Sequence, residues 1–193
     1  IVRSADGYER NLTNFWLSAT EFETPESMPG PLPENSVFTY CTELHVAGTR
    51  YNDTVVFNNN VVMFVDNFLG FEVGEIIPVG YFDMIESNWK ASDNGVIVRL
   101  LDDNNDGQVD GIEYNDDGIA DDLNNNGQTS DDALGLSAYS AGDTLMWGAF
   151  NHFTAVDYNP SGSKDEAPND AESSTNDEDK DNDETECTGS YVM

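Results

Sequence analysis

Oxygen-bearing side chains recur at a regular spacing in the segment 102–113, which reads DDNNDGQVDGIE. Counted from Asp102, they fall at the first, third, fifth, ninth and twelfth positions, which hold Asp102, Asn104, Asp106, Asp110 and Glu113. Gly107 at the sixth position suits a tight loop that needs a positive φ, and Gln108 at the seventh offers its backbone carbonyl. This spacing surrounds one hard cation with six or seven oxygens, the coordination that Ca²⁺ prefers. We therefore predict a calcium loop here (loop 1) rather than a solvated turn rich in Asp and Asn.

The same pattern appears twice more in the residues that follow. The second predicted loop (loop 2, 113–124) has its ligands at Glu113, Asn115, Asp117, Asp121 and Asn124 and at the carbonyl of Ile119. The third (loop 3, 122–132) has them at Asp122, Asn124, Asn126, the carbonyl of Gln128, and Asp131 or Asp132. Consecutive loops share acidic residues, and we expect one to three calcium ions in all.

The segment 102–132 is too acidic to fold without a counter-charge. It contains eleven Asp and Glu residues and no Lys or Arg, so its carboxylates repel one another until cations neutralise them. The loops are not EF-hands, because a predicted strand precedes them and Gly111, Gly118 and Gly127 interrupt any helix. Chained loops that share acidic residues resemble the thrombospondin type 3 repeat, in which calcium ions replace a hydrophobic core.

The rest of the chain must supply a rigid support for these loops, and its pattern is that of β structure. Short runs rich in Val, Ile, Phe, Tyr and Thr, bounded by Asn, Gly and Pro, predict strands at 37–46, 54–57, 60–68, 76–83, 96–101 and 143–153. The turn residues 92–95 predict a hairpin between the segment 81–89 and the strand 96–101. Only 131–136 is expected to form a short helical turn. These features predict an all-β, Ig-like or similar β-sandwich with an inserted calcium-loop segment.

The composition changes after Pro160. Residues 161–193 are predicted to form an acidic, flexible tail, which leaves residues 1–160 as the folded domain. Cys41 and Cys187 are the two cysteines of the chain. They are interpreted either as an extracellular disulfide that closes a very long loop, or as a buried apolar residue and a free thiol.

The net charge of −31 excludes several classes of partner. Phosphate backbones and anionic membrane surfaces both need a basic surface, so neither nucleic acid nor direct membrane insertion is expected. No apolar run reaches transmembrane length. Adaptation to high salt is an alternative source of the general acidity, but it does not explain the loop spacing.

No catalytic constellation stands out. The two histidines, His45 and His152, have no cysteine or carboxylate at zinc-ligand spacing, and no nucleophile elbow, phosphate loop or dinucleotide motif is present. The expectation is a protein that is not an enzyme. The three tryptophans and eight tyrosines are expected in the core of a sandwich, and a sugar-stacking platform is the alternative.

An ordered series of motifs resembles the calcium-motif-containing β region of bacterial RHS/YD-repeat proteins, which are large secreted or surface-exposed proteins. The series covers roughly residues 20–160 and runs through 28–33 (MPGPLP), 38–40, 65–74, 77–83, 89–99, 100–124 and 151–160. The resemblance implies a non-catalytic accessory β-domain outside the cell. In that family the His-Phe-Thr segment continues through Pro-Trp-Asp, whereas here Ala155, Val156 and Asp157 follow it and the repeats are absent.

These observations predict an extracellular or cell-surface calcium-binding module with a structural or interaction function, and other protein subunits or domains of a surface assembly as its partners. One alternative is a carbohydrate- or surface-binding adhesin module that contacts glycans through exposed aromatic side chains. Another is a self-assembling subunit of an extracellular filament or coat.

Overall fold

A computed structural model of the chain describes residues 1–4, 6–34, 36–50 and 53–159. Within these ranges the fold is all-β, with a short 3-10 helix at Pro25–Ser27 and no α-helix, as the composition of the strand segments predicted. The strands are β1 Val2–Arg3, β2 Glu9–Arg10, β3 Leu17–Phe22, β4 Tyr40–Val46, β5 Thr54–Val55, β6 Val61–Asp66, β7 Ile76–Ile77, β8 Val79–Asp83, β9 Asn88–Ala91, β10 Gly95–Leu101, β11 Gly111–Glu113, β12 Thr144–Phe150 and β13 Ala155–Tyr158.

Two five-stranded antiparallel sheets form the body of the molecule. The front sheet has the strand order β11-β10-β12-β6, and β7 pairs with the first residues of β10 on the edge that β11 also uses. The back sheet has the order β3-β4-β13-β8-β9. A third, three-stranded sheet with the order β2-β1-β5 contains the first strands of the chain.

The chain passes from the front sheet to the back sheet at Pro78. A single strand was predicted over 76–83, but β7 ends at Ile77 in the front sheet and β8 begins at Val79 in the back sheet. Proline has no N–H to donate to a ladder, and the residue before it is restricted to extended backbone, so the proline is a natural break between two pairings. The prediction of strand structure here was right, and the prediction of one continuous strand was wrong.

The predicted hairpin around residues 92–95 was also wrong. Strand β9 pairs with β8, with Phe82 opposite Trp89, and the turn that joins them lies at 84–87. Strand β10 belongs to the front sheet, so residues 92–94 connect the two sheets. The physical reason lies in burial, because β10 is buried along almost its whole length and needs partners on both edges, whereas β9 is half exposed and suits an edge.

One hydrophobic cluster contains side chains of both large sheets. Met63, Ile97 and Met146 come from the front sheet, whereas Leu44 and Tyr158 come from the back sheet. On β10 the side chains alternate, so that Ile97 belongs to this cluster while its neighbours Val96 and Val98 belong to a second cluster on the opposite face. The front sheet is therefore covered with apolar contacts on both faces.

The acidic segment and the turn after it supply the cover for that second face. Ala133 and Leu136 of the turn are buried in the second cluster, together with Val98, Ile112 and Leu145 of the front sheet. Further partly buried members come from the loops and the turn after them: Val109, Leu123 and Tyr139. The turn predicted at 131–136 is present, with hydrogen bonds from Leu134 N to Asp131 O and from Leu136 N to Ala133 O, both 3.3 Å. The segment in which calcium loops were predicted is thus packed on the front sheet instead of projecting from it.

Two predictions lie outside the described part of the chain. The acidic tail was placed at 161–193, and the proposed disulfide requires Cys187. Cys41 is described, and it is buried in a cluster on the outer face of the back sheet with Met28, Phe82 and Ala155. The pairing of the two cysteines therefore stays a prediction.

Candidate metal-binding loops

Loop 1 begins and ends on paired strands. Leu101 at the end of β10 lies opposite Gly111 at the start of β11, and Asp110 N donates to Leu101 O at 3.0 Å. Between these points the Asp102 carboxylate accepts hydrogen bonds from Asp106 N at 3.0 Å and Gly107 N at 2.8 Å. The first ligand position of the motif is therefore turned inward and organises the backbone of its own loop.

The ninth position closes loop 1 from the other side. The Asp110 carboxylate accepts a hydrogen bond from Asp103 N at 2.7 Å and another from Asn104 Nδ2 at 2.6 Å. Asp106 Oδ1 accepts from Gln108 N at 2.9 Å. Four of the predicted ligand side chains, at the first, third, fifth and ninth positions, thus belong to one hydrogen-bonded loop.

Loop 2 repeats this arrangement with equivalent residues. Glu113 Oε2 accepts from Gly118 N at 2.6 Å, as Asp102 accepts from Gly107 in loop 1. The Asp121 carboxylate accepts from Tyr114 N at 2.9 Å and from Asn115 Nδ2 at 3.3 Å, in the manner of Asp110. Asp117 Oδ1 accepts from Ile119 N at 2.9 Å. The Ile119 side chain is a largely exposed hydrocarbon with no ligand atom, so the candidate ligand of this residue is its backbone carbonyl.

Loop 3 repeats the first half of the pattern and divides the second half between two residues. Asp122 accepts from Asn126 N at 3.1 Å and from Gly127 N at 2.6 Å, and Asn126 Oδ1 accepts from Gln128 N at 2.8 Å. In loop 1, Asp110 accepts hydrogen bonds from both a backbone N–H and an asparagine amide. In loop 3 two residues divide these contacts, and Asp132 accepts the backbone hydrogen bond from Leu123 N at 2.9 Å. Asp131 accepts the amide hydrogen bonds, from Asn124 Nδ2 at 3.3 Å and Asn126 Nδ2 at 2.5 Å. Asp131 and Asp132 thus have different hydrogen-bond partners within the loop, and the choice between them as a calcium ligand stays a prediction.

The backbone of all three loops follows the same path. The sixth residue of each has a positive φ, with values of 86° at Gly107, 77° at Gly118 and 90° at Gly127. The fourth residue also lies in the left-handed region, at 59° in Asn105, Asp116 and Asn125. Asn and Asp tolerate that conformation better than other residues with a Cβ. The glycines were predicted from the motif, whereas the left-handed fourth residue was not, although three Asn or Asp residues at that position were its visible signal.

Glu113 was predicted as the twelfth-position ligand of loop 1, but its side chain contacts loop 2 and Arg99 instead. Its side chain is fully buried, and it serves as the first residue of loop 2, so it does not join the hydrogen-bonded set of loop 1. Its Oε1 forms an ion pair with Arg99 Nη1 at 2.8 Å, and the same nitrogen lies 2.6 Å from Asp116 Oδ1. These contacts raise the pKa of Arg99, with the hydrogen bond to Asp116 as the largest cause.

Sequence reasoning did not single out Arg99. It lies in β10 directly opposite Glu113 in the β10–β11 ladder, and directly opposed residues of an antiparallel pair have neighbouring side chains. The signal was a basic residue three positions before Asp102 in a chain that has only seven Lys and Arg residues. Recognising it required the short strand β11, whose three residues are the last three of the loop 1 motif and carry no strand pattern of their own.

The carboxylates of the loops are mostly engaged by backbone N–H groups and asparagine amides. Among the residues that the structure describes, no three His, Cys, Asp or Glu side chains are grouped so that they could hold a metal ion by themselves. Asp131 differs from the others, because its Oδ1 is buried and has no hydrogen-bond partner among the described residues. Burial also raises the pKa of Asp132, assisted by the nearby charges of Asp131 and Asp122.

The aromatic side chains do not form one platform. Trp89 packs on Phe82 and donates to Gly30 O at 3.1 Å, and Trp147 packs against the cluster on the outer face of the front sheet. Trp16 is 83% exposed. His152 lies edge-on to the Tyr81 ring, with ring centroids 4.8 Å apart, and burial lowers its pKa.

Comparison with protein-family models, with curated proteins and with solved structures found no match for this chain. Within the ranges that the structure describes, no helix has the length and apolar character needed to cross a membrane. The three loops of 102–132, packed on the front sheet and linked to it by Arg99, are therefore the features from which a function must be inferred.

Proposed function

We propose that this chain is a calcium-binding β-sandwich module, in which calcium holds the acidic segment against the front sheet and the rigid product serves a structural or interaction role outside the cell. The sandwich assignment is supported by the shared cluster between the front and back sheets. The Ig-like variant of that architecture and the inserted character of the calcium segment are parts of the same proposal.

The observation that carries the proposal is the threefold repetition of one loop geometry. In each loop the first carboxylate accepts a hydrogen bond from the sixth-residue glycine, at 2.8, 2.6 and 2.6 Å. The candidate ligands are all oxygens, which suits a hard cation that prefers carboxylates and carbonyls. The candidate calcium ligands are Asp102, Asn104, Asp106, Gln108 and Asp110 in loop 1, Glu113, Asn115, Asp117, Ile119 and Asp121 in loop 2, and Asp122, Asn124, Asn126, Gln128 and either Asp131 or Asp132 in loop 3.

Two observations indicate that the residues present suit a cation. Asp131 Oδ1 is a buried carboxylate oxygen without a hydrogen-bond partner among the described residues, and such an atom is costly unless something neutralises it. The segment 102–132 also contains eleven acidic residues and no basic one, so that its self-repulsion opposes the compact state. A divalent cation in the loops would relieve both effects.

Calcium would act on stability through apolar residues in and beside the loops. Val109 and Leu123 of the loops pack on the cluster in which Leu136, just after loop 3, is fully buried against the front sheet. Ordering the loops would therefore also fix the cover of the front sheet. Loops of this kind reach affinities that match extracellular calcium, which agrees with the accessory role implied by the resemblance to the RHS/YD-repeat β region.

The proposal is tested by calorimetric titration of CaCl₂ into the metal-stripped chain, with thermal melts at each end of the titration. We expect binding at micromolar to millimolar affinity and a rise in Tm of about 5 °C or more, because calcium binds the folded state only. MgCl₂ is the control cation, since it demands a smaller, octahedral site and retains its water. If calcium produced neither heat nor a Tm shift, the acidity would be explained by salt adaptation and the proposal would be wrong.

A carbohydrate-binding adhesin is the second candidate, and the exposure of Trp16 is the observation that favours it. An indole that is 83% exposed offers a face on which a sugar ring can stack. The test is tryptophan fluorescence with a panel of glycans, in the native chain and in Trp16→Ala. A change that is present in the native chain and lost in the variant would support the adhesin; no change with any glycan would reject it.

A further inference from the structure

Loop 2 differs from loops 1 and 3 because it already has a cation bound to it. Arg99 reaches it from β10 and contacts two of its carboxylates, Glu113 at 2.8 Å and Asp116 at 2.6 Å. Among the ion pairs of the described residues, these are the ones that reach the segment 102–132. Loops 1 and 3 have no basic side chain of their own.

One of the two carboxylates that Arg99 contacts is buried, and a buried carboxylate needs a partner of opposite charge. Glu113 is 0% exposed, and an unpaired carboxylate in such a position is strongly unfavourable. Asp116 occupies the fourth position of the loop, which is not a ligand position in the motif, and its backbone has a φ of 59°. Arg99 therefore neutralises the first ligand of loop 2 and holds the residue at the tip of its turn.

We infer that Arg99 is the resident cation of loop 2, so that this loop is formed without calcium and the ions occupy loops 1 and 3. The inference rests on the proposed calcium-binding function and refines it. Formation of loop 2 fixes the ladder between β10 and β11, and that ladder sets the end of loop 1 at Gly111. The start of loop 3 is set as well, because Asp121 N donates to Ile112 O at 2.7 Å beside Asp122. Loop 2 thus positions the ends of both metal-binding neighbours.

Removal of the guanidinium should convert loop 2 into a calcium site. Loop 2 has carboxylates at its first, fifth and ninth positions, Glu113, Asp117 and Asp121, and loop 1 has the same three positions filled by Asp residues. In Arg99→Gln nothing competes for Glu113, so a third ion can bind there. Lys90→Gln is the matched control, because Lys90 is exposed to a similar extent (32% against 34%) and also bridges two carboxylates, Asp83 and Glu86, away from the loops.

The experiment is calorimetric titration of CaCl₂ into the metal-stripped, full-length native chain, Arg99→Gln, Arg99→Lys and Lys90→Gln, with melts in EDTA and in saturating calcium. We expect two ions per chain for the native protein and Lys90→Gln, and three for Arg99→Gln. We also expect Arg99→Gln to lower Tm by about 5 °C or more in EDTA and by less than half of that in calcium, because the third ion replaces the lost charge. Arg99→Lys keeps one charge without the planar fork, so it should fold and bind two ions with a smaller loss of Tm in EDTA.

The outcomes separate the inference from the function on which it rests. Three ions in the native chain, or an equal Tm loss for Arg99→Gln in EDTA and in calcium, would overturn the role of Arg99 and leave calcium binding intact. If Arg99→Gln does not fold in EDTA, recovery of its native melt on addition of calcium supports the inference, and failure to recover overturns it. No calcium binding by any of the four proteins would overturn the proposed function and the inference together.

Discussion

Asp157 makes the folded state sensitive to pH at a place far from the loops in sequence. It lies in β13, the central strand of the back sheet, between β4 and β8, and it is only 3% exposed. Val156 and Tyr158 point into the core between the sheets, so Asp157 points to the other face, where Cys41 and Ala155 are buried. Its Oδ1 has no hydrogen-bond partner among the described residues. Burial raises its pKa from 3.8 to about 7.

The magnitude and sign of the effect follow from that shift. A carboxyl group with a higher pKa in the folded state binds its proton more tightly there, so the folded state is favoured at low pH and loses stability as pH rises. The loss occurs between about pH 4, where the unfolded group ionises, and about pH 7, where the folded group does. A shift of this size corresponds to about 4 kcal/mol of unfolding free energy over that range.

The assay is urea unfolding of the native chain and Asp157→Asn from pH 4.5 to pH 8.5, in saturating calcium. The loop carboxylates titrate in both proteins, so the difference between the two unfolding free energies isolates Asp157. We expect the stability of Asp157→Asn relative to the native chain to rise by about 3 kcal/mol from pH 4.5 to pH 8.5, since the variant has no charge to bury. A difference that stays constant within about 0.5 kcal/mol across the range would refute the reasoning.

Two further predictions concern the loops and their support. Gly107→Ala places a Cβ in open space at a φ of 86°, so its cost is backbone strain of about 1–2 kcal/mol. If calcium orders loop 1 as proposed, calorimetry should show about 5- to 30-fold weaker binding at one site, whereas Gly7→Ala, at a φ of 85° outside the loops, should leave calcium affinity unchanged. Leu136→Ala removes a fully buried side chain from the cover of the front sheet and should lower stability by about 2–5 kcal/mol in urea unfolding with calcium present. Leu134→Ala, two residues away and 68% exposed, should cost almost nothing, and equal losses for the two variants would contradict the packing of this cover.

The strands that could be predicted from the sequence are those whose own side chains reveal their burial. β6, β10 and β12 are rich in Val, Ile, Leu, Met and Phe, and they are three neighbouring strands of the front sheet. β3, which reads LSATEF, was missed because it is an edge strand with mostly exposed side chains. β13 was missed because its four residues are too few to show a strand pattern. Their strand conformation depends on pairing with β4 and β8, which are far away in the chain.

The loops show the same division between local and distant information. The ligand spacing and the sixth-position glycines are local, and in the structure the residues at the first, third, fifth and ninth positions of loop 1 belong to one hydrogen-bonded loop. The role of Glu113 was assigned incompletely, because its ion pair depends on the register between β10 and β11. No local pattern encodes which residue lies across a ladder, and so neither Arg99 nor the packing of the loops on the front sheet was visible in the sequence.

That packing gives the acidic segment an effect on the core of the molecule. β10 and β12 are neighbours in the front sheet, with Arg99 opposite Thr144, yet about 40 residues separate them in the chain. Closing a flexible loop of that length costs about 3 kcal/mol, and a self-repelling chain costs more because it is expanded. Each of the three short loops brings its own ends together over about ten residues. Once formed, they remove most of the conformational freedom of this connection before β12 pairs with β10. A cation bound at the surface would therefore stabilise the buried pairing of β10 with β12, which it does not touch.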